Sequence, residues 1–161
     1  MRRGVFPMHI LFVCTGNTCR SPMAVHLAQT KLRLRGLSWQ VSSAGVYAIP
    51  GLPMSWEAVQ VLQSRGIAPT DHAAQSLTAA QVEQVDLVVT MTHAQAIEVA
   101  SRFPMAGIKV RALGNFLSSR QESAEDIVDP IGGGLDAYVR TAAQIDRALE
   151  GLIDFLLQQE T

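Results

Sequence analysis

The stretch His9–Ala24, HILFVCTGNTCRSPMA, decides how this chain is read. It opens with HILFVC (His9–Cys14), a short and nearly continuous apolar run of the kind that forms a strand buried on both faces. It closes on Pro22, which suits a first helical position, so PMAVHLAQTKLRLRG predicts a helix that ends at Gly36. Between strand and helix, CTGNTCR gathers both cysteines of the chain, with an arginine directly behind them.

Outward from this stretch the hydrophobic period keeps alternating. WQVSSAG predicts a second strand, and WEAVQVLQSRG a helix with Ser55 as N-cap, Glu57 in its first turn and Gly66 at its exit. SLTAAQVEQ predicts a shorter helix capped by Ser76 or Thr78. A third buried strand is expected at Asp86–Met91, a helix at HAQAIEVASRF, a fourth strand at IKVRAL and a polar loop from Ser118. A long final helix follows over Leu135–Gln158. Strands separated by helices imply right-handed crossovers, hence a small doubly wound α/β fold: a four-stranded parallel sheet with helices on both faces. Ligands of such sheets bind beyond the carboxyl ends of the strands, where CTGNTCR lies.

Composition narrows the function classes. The 161 residues fit one domain, taken as residues 8–161 behind an N-terminal extension at 1–7. At 48% apolar and 17% charged the chain reads as globular, and its net charge of −1 argues against a nucleic-acid partner or a membrane surface. Two closely spaced cysteines fit neither a disulfide framework nor a zinc site, so a reducing, cytoplasmic setting is expected. MRRGVFPMHI lacks the apolar core and cleavage site of a signal peptide, and no run approaches the length of a membrane span.

CTGNTCRSP reads as an anion cradle. Gly16 and Asn17 readily adopt positive φ, which lets successive N–H groups turn inward, and the helix that begins near Ser21 and Pro22 points its positive end at the same place. Arg20, six positions after Cys14, can return its guanidinium to a bound oxyanion. A cysteine in that field is favoured as a thiolate, aligned for attack on phosphorus, with Ser21 available to donate to the sulfur. Cys14 alone would more often be a packed strand-end cysteine; Cys-x5-Arg-Ser at a strand-to-helix junction makes that explanation weak.

The nucleophile needs an acid, and DIVDPIGGG offers Asp129 first and Asp126 second, although Asp-Pro by itself is an ordinary turn. Asn17 can orient the cradle through Ser43, a network that His72 could join. Cys19 is either a packing residue or a thiol that captures oxidised Cys14. His93 is expected to start a helix, whereas His9 and His26 show no partner in sequence.

FVCTGNTCRSPMA together with the late Asp129-Pro130 resembles the low-molecular-weight protein tyrosine phosphatases, and SSAG and DLVVTMTHAQ follow the same order. Within that family the chain is most similar to the bacterial protein-arginine phosphatases, on CTGNTCRS, SAGVYA, TMTH and DPIGG followed by DAY. The resemblance implies the phosphotyrosine phosphatase I-like fold, with Cys14 as nucleophile, Arg20 as phosphate clamp and Asp129 as acid and later base. It also implies a cradle of backbone from Thr15 through Gly16, Asn17, Thr18 and Cys19 to Arg20, and a monomer acting on phosphorylated proteins with neither metal nor cofactor.

Thr18 would then set selectivity, since tyrosine-specific relatives usually carry Ile or Leu there, and a small polar residue suits a guanidinium leaving group. Ile131 departs from both branches, which place aromatic residues at or near that position; Tyr47 could supply one aromatic edge. Phosphoarginine is the expected substrate. Phosphotyrosine is the alternative, and an arsenate reductase (which lacks its downstream cysteines here) or a non-catalytic phosphate-binding module is expected less.

Overall fold

A computed structural model describes residues 8–117 and 125–159. The expected extension at 1–7 and the start of the polar loop from Ser118 lie outside the described residues. The sheet contains β1 (His9–Cys14), β2 (Gln40–Gly45), β3 (Leu87–Thr90) and β4 (Val110–Ala112), all parallel, in the order β2-β1-β3-β4. The helices are α1 (Arg20–Leu34), α2 (Trp56–Ser64), α3 (Ala79–Gln84), α4 (His93–Arg102) and α5 (Gly134–Gln158).

Period-two alternation divides β1 between two cores. Ile10, Phe12 and Cys14 face one cluster, closed by Met23 and Leu27 of α1, Leu62 of α2 and Ile145 and Leu149 of α5. Leu11 and Val13 face the other, with Val88, Val82 of α3 and Val99 of α4. Burial of a side chain such as Phe12, 0% exposed, stabilises the fold by about 1.5–3 kcal/mol. At the surface, Lys31 reaches Asp146 (3.0 Å) and Glu150 (2.7 Å), and Arg35 reaches Asp154 (2.7 Å), which ties α1 to α5.

Several boundaries differ from expectation for local reasons. α1 begins at Arg20, two residues before Pro22, so the helix N-terminus is built from the cradle itself. β3 omits Asp86, whose carboxylate accepts from the His9 N–H at 2.7 Å, and β4 omits Ile108, which is 89% exposed on the preceding turn. Ser55 occupies the N-cap position of α2 but its hydroxyl caps nothing; of the two candidate caps for α3, Thr78 is the one used, in a capping box with Gln81. Among the described residues no helix is long and apolar enough to cross a membrane.

Candidate active site

The β1–α1 loop leaves the carboxyl end of a central strand and is fixed from three sides. Asn17 is the single non-glycine residue with positive φ (57°) among the described residues, whereas Gly16 is not in that region. Asn17 is fully buried. Its Oδ1 accepts from the Gln75 backbone N–H at 3.0 Å, and a backbone N–H can only donate, so the amide is oriented without ambiguity. Nδ2 therefore donates to Ser21 Oγ and Ser43 Oγ, both at 2.9 Å.

The polarity propagates to Cys14. Ser21 Oγ already accepts from Asn17, so its proton is free for Cys14 Sγ at 3.0 Å. The Asn17 N–H also donates to Sγ at 3.2 Å, so two donors point at one sulfur. His72 Nε2 donates to the Asn17 carbonyl at 2.6 Å, which makes it the protonated ring nitrogen. The Ser55 N–H closes the far side on the Thr18 carbonyl at 2.8 Å.

Gly45, where β2 ends, lets this cradle form. A Cβ there would lie 2.6 Å from the Thr15 carbonyl oxygen and 3.1 Å from Asn17 Cβ, closer than packing allows. Cys19 is buried beneath the loop in the larger core, and burial, reinforced by Cys14, pushes its thiol up to about 11. At neutral pH it is therefore a neutral thiol that does not compete as a nucleophile.

Arg20 is 5% exposed and joins the cradle to the loop that carries Asp129. Its Nη1 donates to the Ile127 carbonyl at 3.1 Å, and its Nη2 lies 3.7 Å from Asp129 Oδ2. Nε is buried without a hydrogen-bond partner among the described residues, an expensive state for a charged donor that an oxyanion in the cradle would relieve. Asp129 is half exposed, and its Oδ1 accepts from the Ile131 N–H at 3.1 Å. Beside Arg20 and Asp129 opens a cleft of about 450 Å3, lined also by Thr15, Tyr47, Thr92, Gln95 and Glu98.

Asp126, the second acid candidate, is engaged elsewhere. Its Oδ1 accepts from the backbone N–H (2.9 Å) and the ring Nδ1 (2.8 Å) of His93, while His93 Nε2 meets Asn115 Oδ1 at 3.0 Å. Asp126 thus anchors the acid loop to α4. Burial works to raise its pKa, but the His93 donors prevail and hold the carboxyl below its ordinary value. The same contact, with that from Asn115, raises His93 above its own. Ile131 is 67% exposed and Tyr47 reaches Glu98 Oε1 through its hydroxyl at 2.9 Å.

Sequence reasoning missed four residues. Gln75 orients Asn17, Gln95 reaches Thr15 Oγ1 at 3.0 Å, and Gln144 and Thr141 of α5 hold the acid loop at Val128 and Asp126. A signal existed for Gln95, because Thr92-His-Ala-Gln95 has the spacing of a capping box, which the structure forms.

The low molecular weight phosphotyrosine protein phosphatase family matches residues 9–161. The chain belongs to that family. It is similar to a protein-arginine-phosphatase of Bacillus subtilis, 39% identical over 90% of this chain and 94% of that one. It is also similar to a probable low molecular weight protein-tyrosine-phosphatase EpsP of Ralstonia nicotianae, 38% identical over 89% and 92%. Among solved structures, the YwlE arginine phosphatase, as a cysteine-to-serine mutant with a phosphorylated active site serine, superposes with a TM-score of 0.86 at 38% identity, covering 92% and 95% of the two chains. The sheet, the helices and the loop chemistry are those of a cysteine-dependent protein phosphatase.

Proposed function

We propose that this phosphatase hydrolyses phosphoarginine in proteins. The observation that carries the reading is the residue set around the loop: Thr18 stands within the cradle, and Ile131, followed by Gly132, offers no ring after Pro130. A phenyl ring finds only Tyr47 to stack on in the cleft, whereas a guanidinium finds the Asp129 carboxyl and the Thr15 hydroxyl. The similarity to protein-arginine-phosphatases supports the reading, and the nearly equal similarity to a tyrosine-named relative shows why overall identity does not decide it.

In this mechanism Cys14 Sγ attacks phosphorus in line as the P–N bond breaks. Asp129 delivers a proton to the departing guanidino nitrogen, and the phosphoryl group stays on sulfur as cysteinyl-phosphate. The inward N–H groups of the cradle and Arg20 carry the charge on the phosphoryl oxygens. Water then attacks phosphorus, its proton passing to Asp129, and Ser21 stabilises the departing thiolate. The phosphorylated active-site serine of the YwlE mutant supports a phosphoenzyme at the position of Cys14.

The test is parallel turnover of a phosphoarginine-bearing protein and a phosphotyrosine peptide, with Cys14→Ser as blank. Preference for phosphoarginine is expected, and Thr18→Ile should shift it toward phosphotyrosine by about tenfold or more, the scale set by one buried polar contact. A phosphotyrosine preference in the unmodified enzyme would move the assignment to the other branch.

A further inference from the structure

The cleft beside the cradle contains a fixed polar pair. Gln95 is only 6% exposed, and its Oε1 accepts from the Met91 and Thr92 backbone N–H groups, both at 3.0 Å. Those donors dictate the amide orientation, so Nε2 must face Thr15, and it donates to Thr15 Oγ1 at 3.0 Å. Thr15 Oγ1 is thereby an acceptor in this bond and is held at one position on the wall of the cleft that Asp129 also lines. Its proton and one lone pair have no other hydrogen-bond partner among the described residues, and Thr15 is exposed.

We propose that the Thr15 side chain, positioned by Gln95, is a second selectivity element that accepts an N–H of the substrate guanidinium. This rests on the phosphoarginine reading above. A phosphorylated guanidinium presents N–H donors along its edge, and an oriented hydroxyl lone pair beside the phosphate satisfies one of them. A phenyl ring in the same place would strip water from the hydroxyl and return no hydrogen bond. Thr15 touches the substrate in this account, whereas Gln95 is a positioning residue.

The experiment compares the wild type, Thr15→Val, Thr15→Ser and Gln95→Leu, and reads the ratio of kcat/KM on a phosphoarginine-bearing protein to that on a phosphotyrosine peptide. The ratio does not depend on how much of a variant is folded. Thr15→Val, which keeps the shape and removes the hydroxyl, should lower it about tenfold, the scale of one hydrogen bond to a charged group. Thr15→Ser should retain it, Gln95→Leu should lower it in the same direction, and the double variant should fall short of the product of the single effects. A Thr15→Val ratio equal to wild type overturns the proposal, whatever the absolute rates. If the wild type itself prefers phosphotyrosine while Thr15→Val still lowers the ratio, the substrate reading fails and the role of Thr15 stands.

Discussion

The two loops that meet at Arg20 are built on opposite plans. The cradle loop is buried at Cys14, Asn17, Cys19 and Arg20, and Asn17 alone is held by Gln75, Ser21, Ser43 and His72. The acid loop is firm along one half, where Gln144 binds Asp126 and Val128, Thr141 binds Val128 and Ile127 binds Met91. From Asp129 onward it changes: Asp129 is half exposed, and Gly132 and Gly134 take φ of 82° and 76°. A site for a phosphoryl transition state has to be oriented before charge develops, because reorganising dipoles during reaction costs the rate. A proton donor serves first the leaving group and then water, so it works from a tip that is anchored behind and unconfined ahead.

The largest effect that would break this contrast is loss of the fork at Arg20. Arg20→Lys keeps the charge but loses planar, two-handed bonding, and kcat/KM should fall about 10²- to 10³-fold in steady-state assays. A loss under about fivefold would mean that charge alone is enough and the cradle geometry is not decisive. Next is Asp129→Asn. In kcat/KM, which reads the steps up to formation of the phosphoenzyme, it should cost about 10²-fold on phosphoarginine, whose nitrogen needs a proton, and much less on p-nitrophenyl phosphate, whose phenolate leaves without one. Equal losses on both substrates would place Asp129 in structure or binding instead of proton delivery.

The smallest effect concerns the anchored half of the acid loop. The His93 pKa is raised in the fold by Asp126 and Asn115, so the stability it contributes is complete below about pH 6.5 and is lost as pH rises through the raised value. The Asp126 pKa is lowered, so its contribution is present above about pH 3.9 and is lost as pH falls through the lowered value. The destabilisation caused by His93→Gln should therefore be greatest near pH 5 and fade toward pH 8, as read from melting temperatures. Solvent screens the pair, His93 being 44% exposed, so the difference is small. A difference that grows with pH would mean that His93 acts by packing and not by charge.

What the sequence disclosed follows from how far apart the interacting residues lie. Cys14, Asn17, Arg20 and Ser21 share one loop, so their joint chemistry is written in eight consecutive positions. The four strands were legible from apolar runs, but their ends were not, because Asp86 and Ile108 are settled by a cross-strand bond and a turn. Gln75, Gln95 and Gln144 act across 58, 80 and 16 to 18 residues, and an isolated glutamine carries no local signature of such a partner. Asp126 stayed a second candidate behind Asp129 for the opposite reason: two aspartates three apart look alike until His93 bonds one of them.

The most direct test of the account is to trap the phosphoenzyme. Asp129→Ala should slow hydrolysis of the intermediate, so acid quench within the first turnover on p-nitrophenyl phosphate, followed by peptide mass spectrometry, should find one phosphoryl group per chain on Cys14 and none in the Cys14→Ala control. Phosphate released without any label on Cys14, or a label on His72 or Asp126 instead, would contradict it.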